Sequence, residues 1–189
     1  MGCGCGFFSL ILAEQGHDVT GIDLTESMIE RGRILAEKHG LHAAFQQMDA
    51  EKLAFADGTF DAVISRNLTW TLPHPREAYR EWIRVLKPGG ILLNYDAEHA
   101  RYHQSHGLEG EEAHKMLSQG QMDECMAIYG MLPISGWKRP DWDVLFLKQA
   151  GCSRVEADKT IGTKLFPHED QFCTPYPIFR IQAVKDRSL

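Results

Sequence analysis

The residues best placed to do chemistry stand at the start of the chain. Gly2, Gly4 and Gly6 alternate with Cys3 and Cys5, and the loop they form leads into a run that carries Phe8, Ile11 and Leu12 at helical spacing. Glycine is needed where a backbone turns sharply or lies against a ligand, because a Cβ would collide. Gly16 stops the helix, and Asp18-Val19-Thr20-Gly21-Ile22-Asp23 follows, a short apolar strand that ends in an acid. A carboxylate in that position can accept hydrogen bonds from both hydroxyls of a ribose. Loop, helix, strand and terminal acid together describe a nucleoside site at the carboxyl ends of parallel strands. Asp23 could instead cap the helix that follows, but Thr25 or Ser27 is better placed for that, with Ser27 and Glu30 spaced as a capping box.

The glycine spacing bears on which nucleoside. A dinucleotide loop reads G-x-G-x-x-G, which would put its third glycine at Phe7; the chain reads G-x-G-x-G, and this disfavours a nicotinamide dehydrogenase. The elements that must position the loop run on downstream. Ala43 to Gln47 reads as a strand followed by Met48-Asp49-Ala50. Phe60 to Ser65 is a nearly continuous apolar run, as expected of a strand buried on both faces, and Arg66 and Asn67 sit at its carboxyl end, where open parallel sheets bind ligands. Pro75 to Leu86 places Ala78, Trp82, Val85 and Leu86 on one helical face; Lys87-Pro88-Gly89-Gly90 ends that helix, and Ile91 to Tyr95 is the next strand. A helix over Asp141–Ala150 and strands near Ser153–Asp158 and Ile178–Val184 complete the pattern.

The loop, Asp23 and the string Arg84-Val85-Leu86-Lys87-Pro88-Gly89-Gly90 resemble the class I S-adenosylmethionine-dependent methyltransferases of small-molecule type, closely over residues 1–96 and loosely over 140–189. The resemblance implies an α/β fold: a doubly wound, Rossmann-like, mostly parallel sheet of order 3-2-1-4-5-7-6 with an antiparallel last strand. It implies S-adenosylmethionine as cofactor, held by Gly2, Cys3, Gly4 and Gly6, by Asp23 and Leu24 at the ribose, and by Asp49 and the Ala50 N–H at the adenine, with Arg66 and Asn67 beside it. Asp49 could equally be a surface loop acid. The implied partner is a small-molecule methyl acceptor, and the family pattern leaves room for a homodimer.

In that pattern a helix and a strand precede the glycine loop, and the chain as given reads as lacking both. The absent strand belongs at the centre of the sheet, so Val19–Ile22 and Asp61–Ser65 should face a gap. Three resolutions are expected: a start further upstream, a second segment or partner filling the gap, or the flanking strands closing to pair directly. The same feature motivates a second functional reading, a non-catalytic S-adenosylmethionine-binding remnant or partner-binding pseudoenzyme.

Residues 97–139 break the strand–helix rhythm within what otherwise reads as one domain over 1–189. In the family, an insertion here covers the substrate. His99, His103 and His106 share a helical face, and His114 follows. No cysteine or carboxylate completes a metal-ligand pattern among them, so no metal is expected. His99, Tyr102 and His103 follow the strand that faces the substrate and are the candidate general bases; the plainer reading is a solvated helix. Met116, Met122, Met126 and Met131 read as packing residues, as do Trp137 and Trp142, while Trp70 could line the pocket. Cys3 and Cys5 read as small loop residues.

Composition bounds these readings. A chain of 189 residues with 43% apolar and 24% charged residues is ordinary for one soluble globular domain. A net charge of −6 argues against a nucleic-acid partner, and no apolar run approaches a membrane span of ~20 residues. Five cysteines without a repeated spacing suggest free thiols in the cytoplasm.

Overall fold

The computed structural model describes residues 1–106, 116–165 and 176–187. Its elements in chain order are α1 (Phe7–Glu14), β1 (Thr20–Asp23), α2 (Glu26–Lys38), β2 (Ala44–Gln47), β3 (Phe60–Arg66), a 3-10 turn (Thr69–Thr71), α3 (Pro75–Val85), β4 (Leu86–Ala97), α4 (His99–His106), α5 (Gln119–Met131), a second 3-10 turn (Pro133–Gly136), α6 (Asp141–Gln149), β5 (Cys152–Asp158), α7 (Ile161–Leu165) and β6 (Ile178–Lys185).

The strands form two sheets. β1 and β2 pair in parallel, from Thr20 opposite Ala44 to Asp23 opposite Gln47. The other four strands lie in the order β3-β4-β6-β5: β3 and β4 are parallel, and β6 runs antiparallel to both β4 and β5. The strands present keep the expected order on either side of residues 1–3, β2-β1 on one side and β3-β4-β6-β5 on the other, with β6 antiparallel. The single continuous sheet is therefore corrected to two: Val19–Ile22 and Asp61–Ser65 lie in different sheets and do not close up. The start of the chain holds them apart. Cys3 N donates to Ile22 O at 2.8 Å on one side, and the Met1 amino group donates to Ile64 O at 2.8 Å on the other. Strands that pair directly lie about 4.8 Å apart, and residues 1–3 occupy that space.

The main core lies between α3, α6 and the four-stranded sheet. Tyr79, Trp82 and Val85 of α3 are fully buried against Leu92, Leu147 and Ile181. Trp82 satisfies its one polar atom by donating Nε1 to Ala50 O at 2.9 Å. Ile29, Ala36 and Phe45 form a smaller cluster between α2 and β2. No helix among the described residues is long and apolar enough to cross a membrane.

Three local expectations change. Lys87–Gly90 lies within β4 rather than ending α3 as a turn, with a register shift opposite Phe60 to Ala62. Gly90 is needed there because a Cβ would stand 2.8 Å from Lys87 O and 3.0 Å from Asp61 O. α2 begins at an N-cap Thr25 with no side-chain cap bond, so Ser27 lies inside the helix and forms no box with Glu30. The described residues of the segment 97–139 are largely helical, and Ser118 with Gln121 makes a capping box at the start of α5. Met116 and Met131 are exposed rather than packed, whereas Trp137 and Trp142 stack with ring centroids 4.3 Å apart. His114 and Cys173 lie outside the described residues.

Candidate active site

The loop glycines all adopt left-handed backbone, with φ of 57° at Gly2, 53° at Gly4 and 96° at Gly6. Packing also demands two of them: a Cβ on Gly2 would stand 2.9 Å from the Leu68 side chain, and one on Gly6 would stand 2.9 Å from the Phe45 ring. Nothing lies within 4 Å of the Cβ position at Gly4, so the space over that residue is open to a ligand. Cys3 packs beside Gly21, and burial pushes its thiol up to about 11, which keeps it protonated.

Asp23, at the end of β1, faces this opening. Its Oδ2 accepts from Gly4 N at 2.8 Å and its Oδ1 from Thr25 N at 3.0 Å. Each carboxylate oxygen has two acceptor positions, so the site fits a diol: the two backbone donors fix the carboxylate and leave acceptor capacity on both oxygens. Leu24 is exposed next to it. Asp49 is exposed with its Oδ1 accepting from Glu51 N at 2.8 Å, while Ala50 is buried under Trp82. At the end of β3, Arg66 lies over the Phe7 ring at 4.6 Å. Asn67 has φ of 56°, and its Oδ1 accepts from Trp70 Nε1 at 3.1 Å.

Trp70 joins this side of the molecule to α4. Its ring stacks on His99 at 4.6 Å, and His99 in turn meets Tyr176 at 4.1 Å. His103 stacks on Tyr129 of α5 at 5.5 Å, and Tyr102 stacks on His106 at 4.1 Å. The predicted helical face is thus divided: His99 and His103 are buried and His106 is exposed. Burial, then the neighbouring His103 and Arg139, pushes His99 down to about 3, so its imidazole is neutral at physiological pH. Among the described residues, no group of histidines, cysteines and carboxylates is arranged to hold a metal.

Behind this aromatic wall lies a buried polar network that the sequence reading missed. Arg139 donates Nη1 to Asp96 Oδ2 and Nη2 to Asp143 Oδ1, each at 2.8 Å. Tyr79 OH donates to Asp143 Oδ1 at 2.7 Å and accepts from Asn94 Nδ2 at 2.9 Å, and Asn94 also donates to Thr69 Oγ1 at 2.9 Å. Burial raises the proton affinity of Asp96 against the pull of Arg139; for Arg139 itself, the two carboxylates outweigh burial and hold it protonated. Asp96 Oδ2 also accepts from Trp70 N at 3.1 Å, so the network fixes the wall to the end of β4. The one sequence signal was the Arg139–Asp143 spacing of four residues, too common to single out.

A cavity of about 930 Å³ among the described residues is lined by neither Asp23 nor Asp49. It shares Gly2–Gly4 with the nucleoside side and Arg66 and Asn67 with its far wall, then runs down between β1 and β3.

Residues 1–94 match the family model described as "Methyltransferase domain". The chain carries a class I S-adenosylmethionine-dependent methyltransferase domain. The sterol 24-C-methyltransferase of Gibberella zeae is 40% identical to this methyltransferase domain over 99 residues, covering 51% of this chain and 26% of that one. The phosphatidylethanolamine N-methyltransferase of Cereibacter sphaeroides is 38% identical over 101 residues, covering 51% of this chain and 49% of the relative. The chain therefore spans at most about half the length of these curated relatives. In fold it matches the phosphoethanolamine N-methyltransferase 2 of Haemonchus contortus, solved with S-adenosyl-L-methionine, with a TM-score of 0.67 and 17% identity over 98% of this chain and 47% of that one.

Proposed function

We propose that the domain binds S-adenosylmethionine across the carboxyl ends of β1, β2 and β3 and transfers its methyl group to a small-molecule acceptor received by residues 97–139. One observation carries the reading: the Asp23 carboxylate is pinned by the Gly4 and Thr25 amides beside the open face of Gly4. Asp23 would take the ribose hydroxyls, Gly2 and Gly4 would let the backbone approach the donor, Asp49 and the Ala50 amide would meet the adenine, and Leu24, Arg66 and Asn67 would border it. The bound donor supplies an already activated sulfonium methyl, so the protein's task is to align the acceptor and exclude water.

The wall of Trp70, His99, Tyr102 and His103 suits that task. His99, neutral at pH 7, can orient an acceptor through a hydrogen bond but holds a proton poorly. Where the acceptor must lose a proton, that role falls to Tyr102 or His103. The family match ends at residue 94, before the segment assigned here to the acceptor, and the named relatives methylate carbon in one case and nitrogen in the other. Calorimetry with S-adenosylmethionine, followed by transfer of a labelled methyl group into a fractionated metabolite extract, tests the reading.

The open space between the sheets favours a second reading, a donor-binding chain without turnover. Binding in the calorimeter with no label transferred to any fraction would support it over the first.

A further inference from the structure

The turn after β2 takes most of its backbone partners from α3. At its far end, Leu53 N donates to Glu81 Oε2 at 2.8 Å, and the Leu53 and Phe55 carbonyls accept from Arg84 at 3.0 and 2.8 Å. At its near end, Trp82 Nε1 donates to Ala50 O at 2.9 Å. The indole is locked by packing. Trp82 is fully buried, and its ring meets Tyr79 edge-on at 5.3 Å, while the Tyr79 hydroxyl is held by Asp143 and Asn94.

One planar peptide carries the Trp82 contact onward. The Ala50 carbonyl that Trp82 holds belongs to the same peptide unit as the Glu51 N–H, and that N–H donates to Asp49 Oδ1 at 2.8 Å. The C=O and N–H of a trans peptide share a plane, so fixing one end fixes the direction of the other. A hydrogen bond at the carbonyl also strengthens the N–H beyond it as a donor. Trp82 is thus two hydrogen bonds from the Asp49 carboxylate without touching it. Among the described residues, no donor meets Asp49 Oδ2 and no acceptor meets Ala50 N.

We propose that Trp82 is a positioning residue for the donor's base: through the Ala50–Glu51 peptide it sets the directions of the Asp49 carboxylate and the Ala50 amide. This role rests on the reading that adenine docks at Asp49–Ala50, and it names what makes that turn selective. Adenine offers an amino donor beside a ring-nitrogen acceptor, which matches a carboxylate followed by an amide N–H. Hypoxanthine reverses the pair, with a carbonyl oxygen beside a ring N–H. A turn held in one orientation rejects the reversed pair, because its own polar groups are then left unmatched. A turn free to swing would let the carboxylate follow the N–H.

The test is calorimetry on the full chain and on Trp82→Phe, well below both melting points, with S-adenosylhomocysteine and its hypoxanthine counterpart S-inosylhomocysteine. Phenylalanine keeps a buried ring and removes the indole N–H. The unmutated chain should bind the adenine compound at least about 10-fold more tightly than the hypoxanthine one. In Trp82→Phe, affinity for the adenine compound should fall about 10-fold, the scale of one lost hydrogen bond, while affinity for the hypoxanthine compound stays within about 2-fold. Equal losses for both compounds, or no loss for either, would overturn the inference and make Trp82 a packing residue, with the adenine assignment still standing. Equal affinity of the unmutated chain for both compounds would overturn the adenine assignment itself, and the role of Trp82 with it. A second readout needs no variant: the Trp82 indole N–H proton resonance of the unmutated chain should shift on saturation with S-adenosylhomocysteine and move less with S-inosylhomocysteine. A resonance that moves for neither compound, or equally for both, would overturn the inference.

Discussion

Replacing Asp23 with alanine separates what the carboxylate does for the loop from what it does for the donor. In the unliganded chain the carboxylate accepts two backbone N–H bonds, from Gly4 at 2.8 Å and Thr25 at 3.0 Å. Losing both should destabilise the fold by about 2 kcal/mol, at about 1 kcal/mol each, and lower Tm by roughly 4–8 °C in a domain of this size. Donor affinity should fall further. The ribose hydroxyls would lose hydrogen bonds to a charged acceptor, worth about 1.5–3 kcal/mol, or roughly 10- to 150-fold in Kd. Calorimetry with S-adenosylmethionine at a temperature well below both melting points reads the second effect without the first. Asp23→Asn sharpens the test, because an amide can keep one acceptor oxygen but must direct its NH2 toward a backbone donor, so its affinity should stay close to the alanine variant's. A folded Asp23→Ala chain with unchanged Kd would refute the reasoning: the carboxylate would then be a loop brace and nothing more.

Further outcomes follow from the other groups. His99 binds its proton at about 3 in the folded chain against about 6.5 unfolded, so stability is full above pH 6.5 and falls as pH drops below it, by about 2 kcal/mol at pH 5; urea melts should show this loss, and His99→Phe should remove it. Arg139→Met leaves the buried carboxylates of Asp96 and Asp143 without their cation and should cost about 3–5 kcal/mol in denaturant unfolding; a loss below about 1 kcal/mol would contradict the network. Tyr102→Phe or His103→Asn should lower turnover while the Kd for S-adenosylmethionine stays within about 2-fold, and a parallel loss of donor binding would show that the segment 97–139 does not act on the acceptor alone.

The legible parts of this molecule are those in which chemistry and chain order coincide. The glycine loop, the acid at the end of β1 and the apolar runs of β1 and β3 are local patterns read from residue types and spacing alone. Lys87–Gly90 misled because Pro88 and two glycines signal a turn, whereas here Gly90 lets β4 pass close to β3 at Asp61. α5 escaped notice because its sequence carries no apolar stripe and none of its residues is buried, so periodicity had nothing to report. The network of Asp96, Arg139 and Asp143 was invisible for a different reason: Asp96 and Arg139 are 43 residues apart, and only the tertiary fold brings them together.

The most direct test of the central claim is a crystal structure of this chain soaked with S-adenosylhomocysteine. The ribose hydroxyls should lie within hydrogen-bond distance of both Asp23 oxygens, with the adenine between Leu24 and the Asp49–Ala50 turn and the amino acid moiety over Gly4. Density for the nucleoside at any other place, or a saturating soak that leaves the Asp23 carboxylate bound only to Gly4 and Thr25, would contradict it.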